Sequence, residues 1–446
     1  MKSNDNTGVP RRSFLACAAT VMAAPAATNC AAAAAENASG LERGQLRVAG
    51  FADAEMDFQL IRQIGAARYG GASLGECLAM ARRITNADPA SWVREFAAAA
   101  ARQEADALAR AGRGHALSAH EQYLVASNSY RAAEYYASIA DAEHRRHGLQ
   151  SRACFMAAMQ AGGVACEVVN LPWGQTPLPA YYVRAPQGTG SPGRTLMLIS
   201  GYDGTLEETW IAYGRAALAR GYNLFLFAGP GQMDTLRFYP SMSFVPEYEQ
   251  VGKAALDHVL SRPGTDARRV ALMGISYGGY FATRIASHDA RVSALIANSP
   301  IVDLHAYMVS FVGFDPARMP PEQDVRLEDL DHLPPGAMPP QQREMLRNLM
   351  LRMGRPSFRA TYERLRDYRV DDASLARIRC PALALVGSGE GKEPLAQHKH
   401  FMSGVRGPAS SHVFTLEEGA EGHCQTANLG YSAAVSMDWL DEVFAA

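Results

Sequence analysis

Residues 269–280, with the sequence RVALMGISYGGY, decide the fold. Within them, 270–273 is a short apolar run that is typical of a buried strand, and helical spacing begins at Phe281. The five residues between, GISYG at 274–278, fit the pattern G-x-S-x-G, which holds a serine on a sharp turn from strand to helix. On such a turn the serine hydroxyl stands exposed above the edge of the sheet. The stretch therefore predicts that Ser276 is a nucleophile, against the alternative of a tight turn that merely contains a serine.

Apolar runs alternate with helical stretches on both sides of this turn. The runs 165–171 and 178–183 are joined by a Pro/Gly turn, which predicts a hairpin. Six further strands are predicted at 195–200, 223–227, 270–273, 293–298, 382–386 and 412–416. Strands that alternate with helices favour a mostly parallel sheet covered on both faces. We therefore predict an α/β protein with an eight-stranded sheet in the α/β-hydrolase arrangement.

Two helical regions are predicted outside this core, which occupies 165–310 and 375–446. Residues 37–164 are rich in helix formers and predict an all-α N-terminal unit, with a capping box at Ser118 opening one of its helices. Residues 311–374 contain eight prolines with helical segments between them. Their position predicts a lid over the site, or alternatively a surface insertion without a role.

The first residues predict the compartment. Residues 11–15, RRSFL, are a twin-arginine pattern, and an alanine-rich stretch follows. Residues 1–36 therefore predict a Tat-type signal and a periplasmic or secreted protein, against a plain alanine-rich tail. The net charge of −2, without a basic or acidic block, argues against nucleic-acid and membrane-surface partners, and no stable membrane insertion is expected. None of the seven cysteines has zinc-site spacing, so a structural metal is not expected. No cofactor is expected either.

A reactive serine requires a base and an acid that orients the base. In this fold the chain order is serine, acid, histidine. His423 lies in the loop between the last strand and the last helix, and is the predicted base. Glu390, which follows the strand at 382–386, is the predicted acid. Glu393 could compete for that role, and Asp303 is a candidate from an earlier strand.

The developing oxyanion requires backbone N–H donors. One is predicted on Tyr277, directly after the serine, and the other on Tyr202, in the loop SGYDG at 200–204. The acids around these loops could bind substrate, and those beside Tyr202 could equally fix the loop. The candidate substrate-binding acids are Asp203, Glu208 and Asp303.

The order of these pieces resembles the 2,6-dihydroxypseudooxynicotine hydrolase group of α/β-hydrolases, which also contains fungal heptaketide chain-shortening hydrolases. The resemblance is carried by SAHEQYLVASNSYRAAE at 118–134, GYDGTLEE at 201–208, GPGQ at 229–232, GISYGG at 274–279 and EGAEGHCQ at 418–425. It implies a helical cap packed over a hydrolase core. It also implies a homodimer, and a site formed by Ser276 as nucleophile, Glu390 as acid and His423 as base.

The resemblance implies hydrolysis of a carbon–carbon bond next to a ketone, in a small 1,3-dicarbonyl or polyketide-like substrate. A carboxylesterase is the alternative, because the same residues would serve and only the leaving group would differ. More distant alternatives are an aminopeptidase and a non-catalytic binding protein on a hydrolase scaffold. The complete set of serine, glutamate and histidine argues against a binding protein.

Overall fold

A computed structural model of the protein describes residues 43–186, 193–334 and 336–445. The predicted Tat signal at 1–36 lies outside these residues, so export stays a prediction. Within the described ranges, none of the helices combines the length and the apolarity needed to cross a bilayer. The cysteines of the described part carry free thiols; they are Cys77, Cys154, Cys166, Cys380 and Cys424.

The described chain begins with a helical layer. Its core forms where apolar side chains recur at helical spacing, as at Trp92 and Phe96, whose rings stack with centroids 4.5 Å apart. The helix that carries them starts with Pro89, behind an Asp88 side chain that accepts a hydrogen bond from the Ala90 N–H, a favourable start for a helix. The helices are α1 Ala54–Gly65, α2 Leu74–Ala81, α3 Pro89–Gly112, α4 Ala116–Tyr136 and α5 Ala142–Ala161.

The predicted capping box at Ser118 is wrong. Helix α4 begins two residues earlier, and the preceding residue, His115, makes no side-chain cap. Gly114, at φ 81°, ends the turn after α3, and the helix starts as soon as the chain leaves this left-handed residue. Ala116 and Leu117 are strong helix formers, so Ser118 lies inside the first turn rather than before it.

The sheet has the predicted arrangement. Its strand order is β1-β2-β4-β3-β5-β6-β7-β8, in which β1, β2 and β4 pair antiparallel and all other neighbours pair parallel. Strand β8 starts earlier than predicted, so His412 lies within it and not at its start. The strands are β1 Cys166–Leu171, β2 Leu178–Val183, β3 Gly193–Ile199, β4 Asn223–Phe227, β5 Thr265–Ile275, β6 Ala294–Asn298, β7 Ala382–Gly387 and β8 Ala409–Phe414.

Helices cover both faces of the sheet. Alternate residues of β3 show this, because Met197 and Ile199 join one apolar cluster while Leu196 and Leu198 join the other. This burial on both sides explains why the central strands are almost wholly apolar. The helices are α6 Leu206–Thr209, α7 Arg215–Ala219, α8 Met233–Leu236, α9 Tyr248–Leu260, α10 Tyr277–His288, α11 Leu304–Val312, α12 Pro340–Met353, α13 Phe358–Leu365, α14 Asp372–Leu375, α15 Lys392–Gly404 and α16 Leu429–Ala445.

Short turns of other helix types join these elements. A π-helix, Trp210–Gly214, lies between α6 and α7, and the 3₁₀ segments are Ala66–Tyr69, Pro316–Arg318, Pro321–Gln323, Leu327–His332 and His423–Asn428. The proline-rich insertion at 311–374 contains α12 and α13. Side chains of both helices, together with Tyr135 and Tyr136 of α4, line a cavity that contains Ser276. The insertion and the N-terminal helices therefore meet over the carboxyl edge of the sheet.

Candidate active site

Ser276 lies on the turn between β5 and α10. Its backbone has φ 60° and ψ −125°, a conformation that costs a residue other than glycine on the order of 1–3 kcal/mol. The surrounding structure holds it there, because its N–H donates to the Asn298 carbonyl at 2.5 Å and its carbonyl accepts from the Gly279 N–H at 2.8 Å. Strand and helix are too close for side chains at the flanking positions. A Cβ on Gly274 would lie 1.8 Å from the Gly278 carbonyl oxygen.

His423 lies beside this serine. Its Nε2 is 2.9 Å from the Ser276 Oγ, and its Nδ1 is 2.6 Å from the Glu390 Oε2. The His423 backbone N–H donates to the Arg43 carbonyl at 2.9 Å, which ties its loop to the start of the helical layer. Cys424 follows with φ 53°, so the chain turns sharply where the imidazole enters the site. The structure thus brings together the three residues predicted as nucleophile, base and acid.

Glu390 is buried and held on both oxygens. Its Oε1 accepts from the Gly387 N–H at 2.7 Å, and its Oε2 accepts from the Ser299 hydroxyl at 3.0 Å as well as facing His423. Glu393, the competing candidate, instead accepts from Gln397 at 2.8 Å along α15. Of these two glutamates, only Glu390 contacts the imidazole.

The structure does not bring Asp303 into the site. Its carboxylate accepts from the Ala306 N–H at 2.9 Å and caps helix α11. An aspartate at this position satisfies a free N–H at the helix start, which is a common structural use. Asp303 does not line the described cavity beside Ser276, so its expected role as substrate ligand or alternative acid is not supported.

The environment of His423 raises its pKa to about 10. Burial is the largest influence and opposes the charged imidazolium, but the Cys424 sulfur and the Glu390 carboxylate together outweigh it. The Cys424 Sγ lies 3.4 Å from His423 Nε2. In its unprotonated form, His423 can accept the Ser276 proton through Nε2 while Nδ1 stays hydrogen-bonded to Glu390.

The loop at 200–204 passes directly over the serine. A Cβ on Gly201 would lie 2.7 Å from the Ser276 Cβ and 3.0 Å from the Tyr277 N, so only glycine permits this approach. Tyr202 and Tyr277 both line the cavity, and their rings meet edge to face with centroids 5.4 Å apart. The two residues predicted to carry oxyanion donors therefore line the same cavity as the candidate nucleophile.

A buried glutamine that sequence reasoning gave no role supports this loop. The Gln232 Nε2 donates to the Ser200 carbonyl at 2.7 Å and to the Gly201 carbonyl at 3.2 Å. Its Oε1 accepts from the Gly229 N–H at 2.6 Å. The GPGQ stretch at 229–232 draws attention to this glutamine in the sequence. Which backbone groups its side-chain amide contacts depends on the fold.

Asp203 and Glu208 are held by arginines of the helical layer. Arg62 on α1 pairs with Asp203 at 3.2 Å and with Glu208 at 2.5 Å, and Arg131 on α4 lies 3.6 Å from Glu208. Burial raises the pKa of each acid, but the arginine charges outweigh it, so both pKa values are lowered. These contacts favour loop fixing over substrate binding, although Asp203 also faces the cavity.

The cavity above Ser276 and His423 measures about 150 Å³ and is largely apolar and aromatic. It is lined by residues from the helical layer, from α11 and from the insertion, among them Tyr135, Tyr307, Met308, Phe311, Leu349 and Phe358. Among the residues that the structure describes, no group of three or more histidine, cysteine, aspartate or glutamate side chains is arranged to hold a metal ion. The geometry suits an acyl compound with apolar or aromatic groups.

This arrangement of strands and helices is the α/β-hydrolase fold, as its likeness to solved structures shows. A family model described as the prolyl oligopeptidase family matches residues 248–323. The chain is 32% identical over 275 residues to the hydrolyase poxO of Penicillium oxalicum, covering 58% of this chain and 63% of that one. It is 34% identical over 262 residues to the hydrolase LUC6 of a Fusarium species, covering 56% and 61%. The chain thus spans less than two thirds of either fungal relative.

Two solved structures share the fold over most of the chain. A 2,6-dihydroxy-pseudo-oxynicotine hydrolase aligns with a TM-score of 0.65 at 21% identity, covering 85% of this chain and 95% of its own. AbyA5 aligns with a TM-score of 0.61 at 14% identity, covering 88% and 94%. At these identities the likeness establishes the fold, including the helical layer. It does not identify the substrate, which has to be inferred from the residues of the site.

Proposed function

We propose that this α/β-hydrolase is a serine enzyme that hydrolyses a carbon–carbon bond next to a ketone through an acyl-enzyme. The observation that carries the proposal is the hydrogen-bonded series from Glu390 through His423 to Ser276, which opens into an apolar, aromatic cavity. Such a series activates a serine hydroxyl that is otherwise a poor nucleophile at neutral pH.

The reaction would begin when the Ser276 Oγ attacks the ketone carbon and its proton passes to the His423 Nε2. Glu390 would stabilise the imidazolium, and the N–H groups of Tyr202 and Tyr277 would hold the tetrahedral oxyanion, at roughly 3 kcal/mol per donor. The carbon–carbon bond then breaks, and the departing carbanion takes the proton from His423. Water that gives a proton to the same imidazole attacks the acyl ester, which releases the acid product and the serine.

A 1,3-dicarbonyl compound suits this chemistry because its departing carbanion is an enolate. The aromatic lining of the cavity supports a substrate of polyketide type. The fungal relative LUC6, which is named a hydrolase, supports hydrolysis as the reaction class.

A carboxylesterase is the second candidate, favoured by the fact that Ser276, His423 and Glu390 would act identically on an ester. Rates on p-nitrophenyl acetate and on an aryl 1,3-diketone separate the two, with Ser276→Ala as the control for background hydrolysis. We expect kcat/KM on the diketone to match or exceed that on the ester. A preference for the ester by several orders of magnitude would establish the esterase instead.

A further inference from the structure

Arg352, near the end of α12, places a buried guanidinium in the cavity that contains Ser276. The residue is 3% exposed and lines the cavity wall. Its guanidinium carbon lies 4.4 Å from the centre of the Tyr202 ring, and one nitrogen donates to the Tyr202 carbonyl. Another nitrogen contacts the Met233 sulfur. The insertion therefore brings a positive charge to the loop next to the candidate nucleophile.

Arg352 differs from other arginines around the site because no carboxylate pairs with it. Arg43 pairs with Glu55 at 3.0 Å and Arg62 pairs with Glu208 at 2.5 Å. Among the described residues, no carboxylate lies within ion-pair distance of Arg352, and its Nε has no hydrogen-bond partner. A buried charge without a counter-ion is costly, and bringing an anion to it would recover much of that cost.

The acids of the same cavity are already engaged. Asp203 pairs with Arg62 at 3.2 Å, and Glu344 pairs with Arg347 at 3.3 Å. Both carboxylates are thus engaged by other arginines in this structure. As the structure stands, the position beside the Arg352 guanidinium is open to an anion from outside the chain.

Other cavity groups also lack partners. The hydroxyl oxygens of Tyr136 and Tyr277 and the Oε1 of Gln341 are buried and make no hydrogen bond to another described residue. Buried polar atoms in native proteins are nearly always satisfied, by protein, water or ligand. Together with Arg352 they mark the polar positions of an otherwise apolar chamber, as expected for a ligand that carries several oxygens.

We propose that Arg352 binds an anionic oxygen of the substrate, a carboxylate or an enolate, and so makes the enzyme selective for acidic acyl compounds. The inference rests on the proposed serine hydrolysis and names its substrate class. The planar fork of a guanidinium matches two oxygens at once, which suits a carboxylate and equally the paired oxygens of a 1,3-dicarbonyl enolate.

The test compares charged with neutral substrates of the same skeleton. One arm uses mono-p-nitrophenyl esters of adipic and suberic acid against their methyl-capped forms. The other uses 1-phenyl-1,3-butanedione against its 2,2-dimethyl derivative, which forms no enolate before cleavage. We expect at least about a 10-fold preference in kcat/KM for the anion in one arm, identifying a carboxylate or an enolate as the bound group. Arg352→Met should remove that preference, and Arg352→Lys should keep part of it.

Arg343→Met, on the same helix but outside the cavity lining, is the matched control and should keep the full preference. Because the readout is a ratio between two substrates, a general loss of loop order would lower both rates and leave the ratio unchanged. No preference in either arm, or a preference that survives Arg352→Met, would overturn the inference. Fluorophosphonate labelling of the wild type separates this result from failure of the proposed function, because labelling depends on Ser276 and not on substrate charge.

Discussion

The Nε2 atom of His423 lies 2.9 Å from the Oγ atom of Ser276, although 147 positions separate the two residues. The sheet explains their meeting. Ser276 follows β5, Glu390 follows β7 and His423 follows β8, and the carboxyl ends of these parallel strands share one edge. Side chains from loops far apart in sequence therefore converge there, as is general for open α/β sheets.

Replacing Glu390 tests how the imidazole is charged and oriented. His423 must be unprotonated to accept the serine proton. Because its pKa is raised to about 10, we expect kcat/KM to increase with pH, with the midpoint of the increase well above the ordinary histidine pKa of 6.5. Glu390→Gln removes one of the charges that raise this pKa, so the midpoint should move to lower pH. The rate above the midpoint should fall by about 10³- to 10⁴-fold.

Glu393→Gln is the matched control, because it makes the same change three residues away on a side chain that contacts Gln397 instead. It should leave the pH profile unchanged and the rate within a few-fold of wild type. A wild-type midpoint at or below 6.5, or a larger loss from Glu393→Gln, would contradict the assignment of the acid.

Gly201→Ala tests whether the approach of its loop to the serine matters. The added Cβ would lie 2.7 Å from the Ser276 Cβ, so the loop that carries Tyr202 must move away. We expect kcat/KM to fall by about 10²- to 10³-fold, the usual effect of losing one oxyanion donor. Gly75→Ala, where a Cβ meets nothing within 4 Å, should leave activity unchanged. Equal activity of the two variants would remove the loop from the mechanism.

Arg237→Met should destabilise the fold. This arginine is fully buried and pairs with Glu134 at 2.7 Å and with Glu207 and Asp234 at 3.0 Å each. Its loss leaves buried carboxylates without a counter-ion, at a cost of about 3–5 kcal/mol in the free energy of unfolding, measurable by urea denaturation.

The control for that variant is Arg262→Met. Arg262 pairs with Glu167 at 2.7 Å, but the Glu167 side chain is 54% exposed, so the loss should stay below about 1 kcal/mol. Similar unfolding midpoints for the two variants would show that the buried network contributes no more than a surface pair.

Export is a prediction that rests on the sequence pattern at residues 11–15 alone. Replacing Arg11 and Arg12 together by lysine should keep the protein in the cytoplasm of a bacterial host with a Tat system, while Arg47→Lys should not. Cell fractionation followed by immunoblotting measures the distribution. Equal periplasmic amounts for all forms would rule out a twin-arginine signal.

Much of the fold could be predicted because the strands are apolar runs bounded by turn residues. Strand β4 has the predicted ends, 223–227, and β6 and β7 differ from prediction by one residue each. Strand β5 starts at Thr265, five residues before the predicted 270, because a polar segment continues the pairing with β3 near Gly193. Hydrophobicity carries no signal for that extension, which depends on a partner far away in the sequence.

The candidate site, like the fold, could be predicted only in part from the sequence. Ser276 and His423 could be located because the order of elements assigns each to a particular loop. The sequence predicts Glu390 as the acid with Glu393 as a competitor, and the contacts that separate them, to His423 and to Gln397, are visible only in the structure. Arg352 gave no signal, since the face that α12 turns inward is set by packing of the whole insertion.

The central claim is that one serine hydroxyl is the reactive group, and covalent labelling with a fluorophosphonate tests it most directly. Mass spectrometry of the digested protein should find the adduct on Ser276 in the wild type and no adduct in Ser276→Ala. Labelling should also be strongly slowed in His423→Ala, which removes the base. An unlabelled wild type, or an adduct that persists on another residue in Ser276→Ala, would contradict the account.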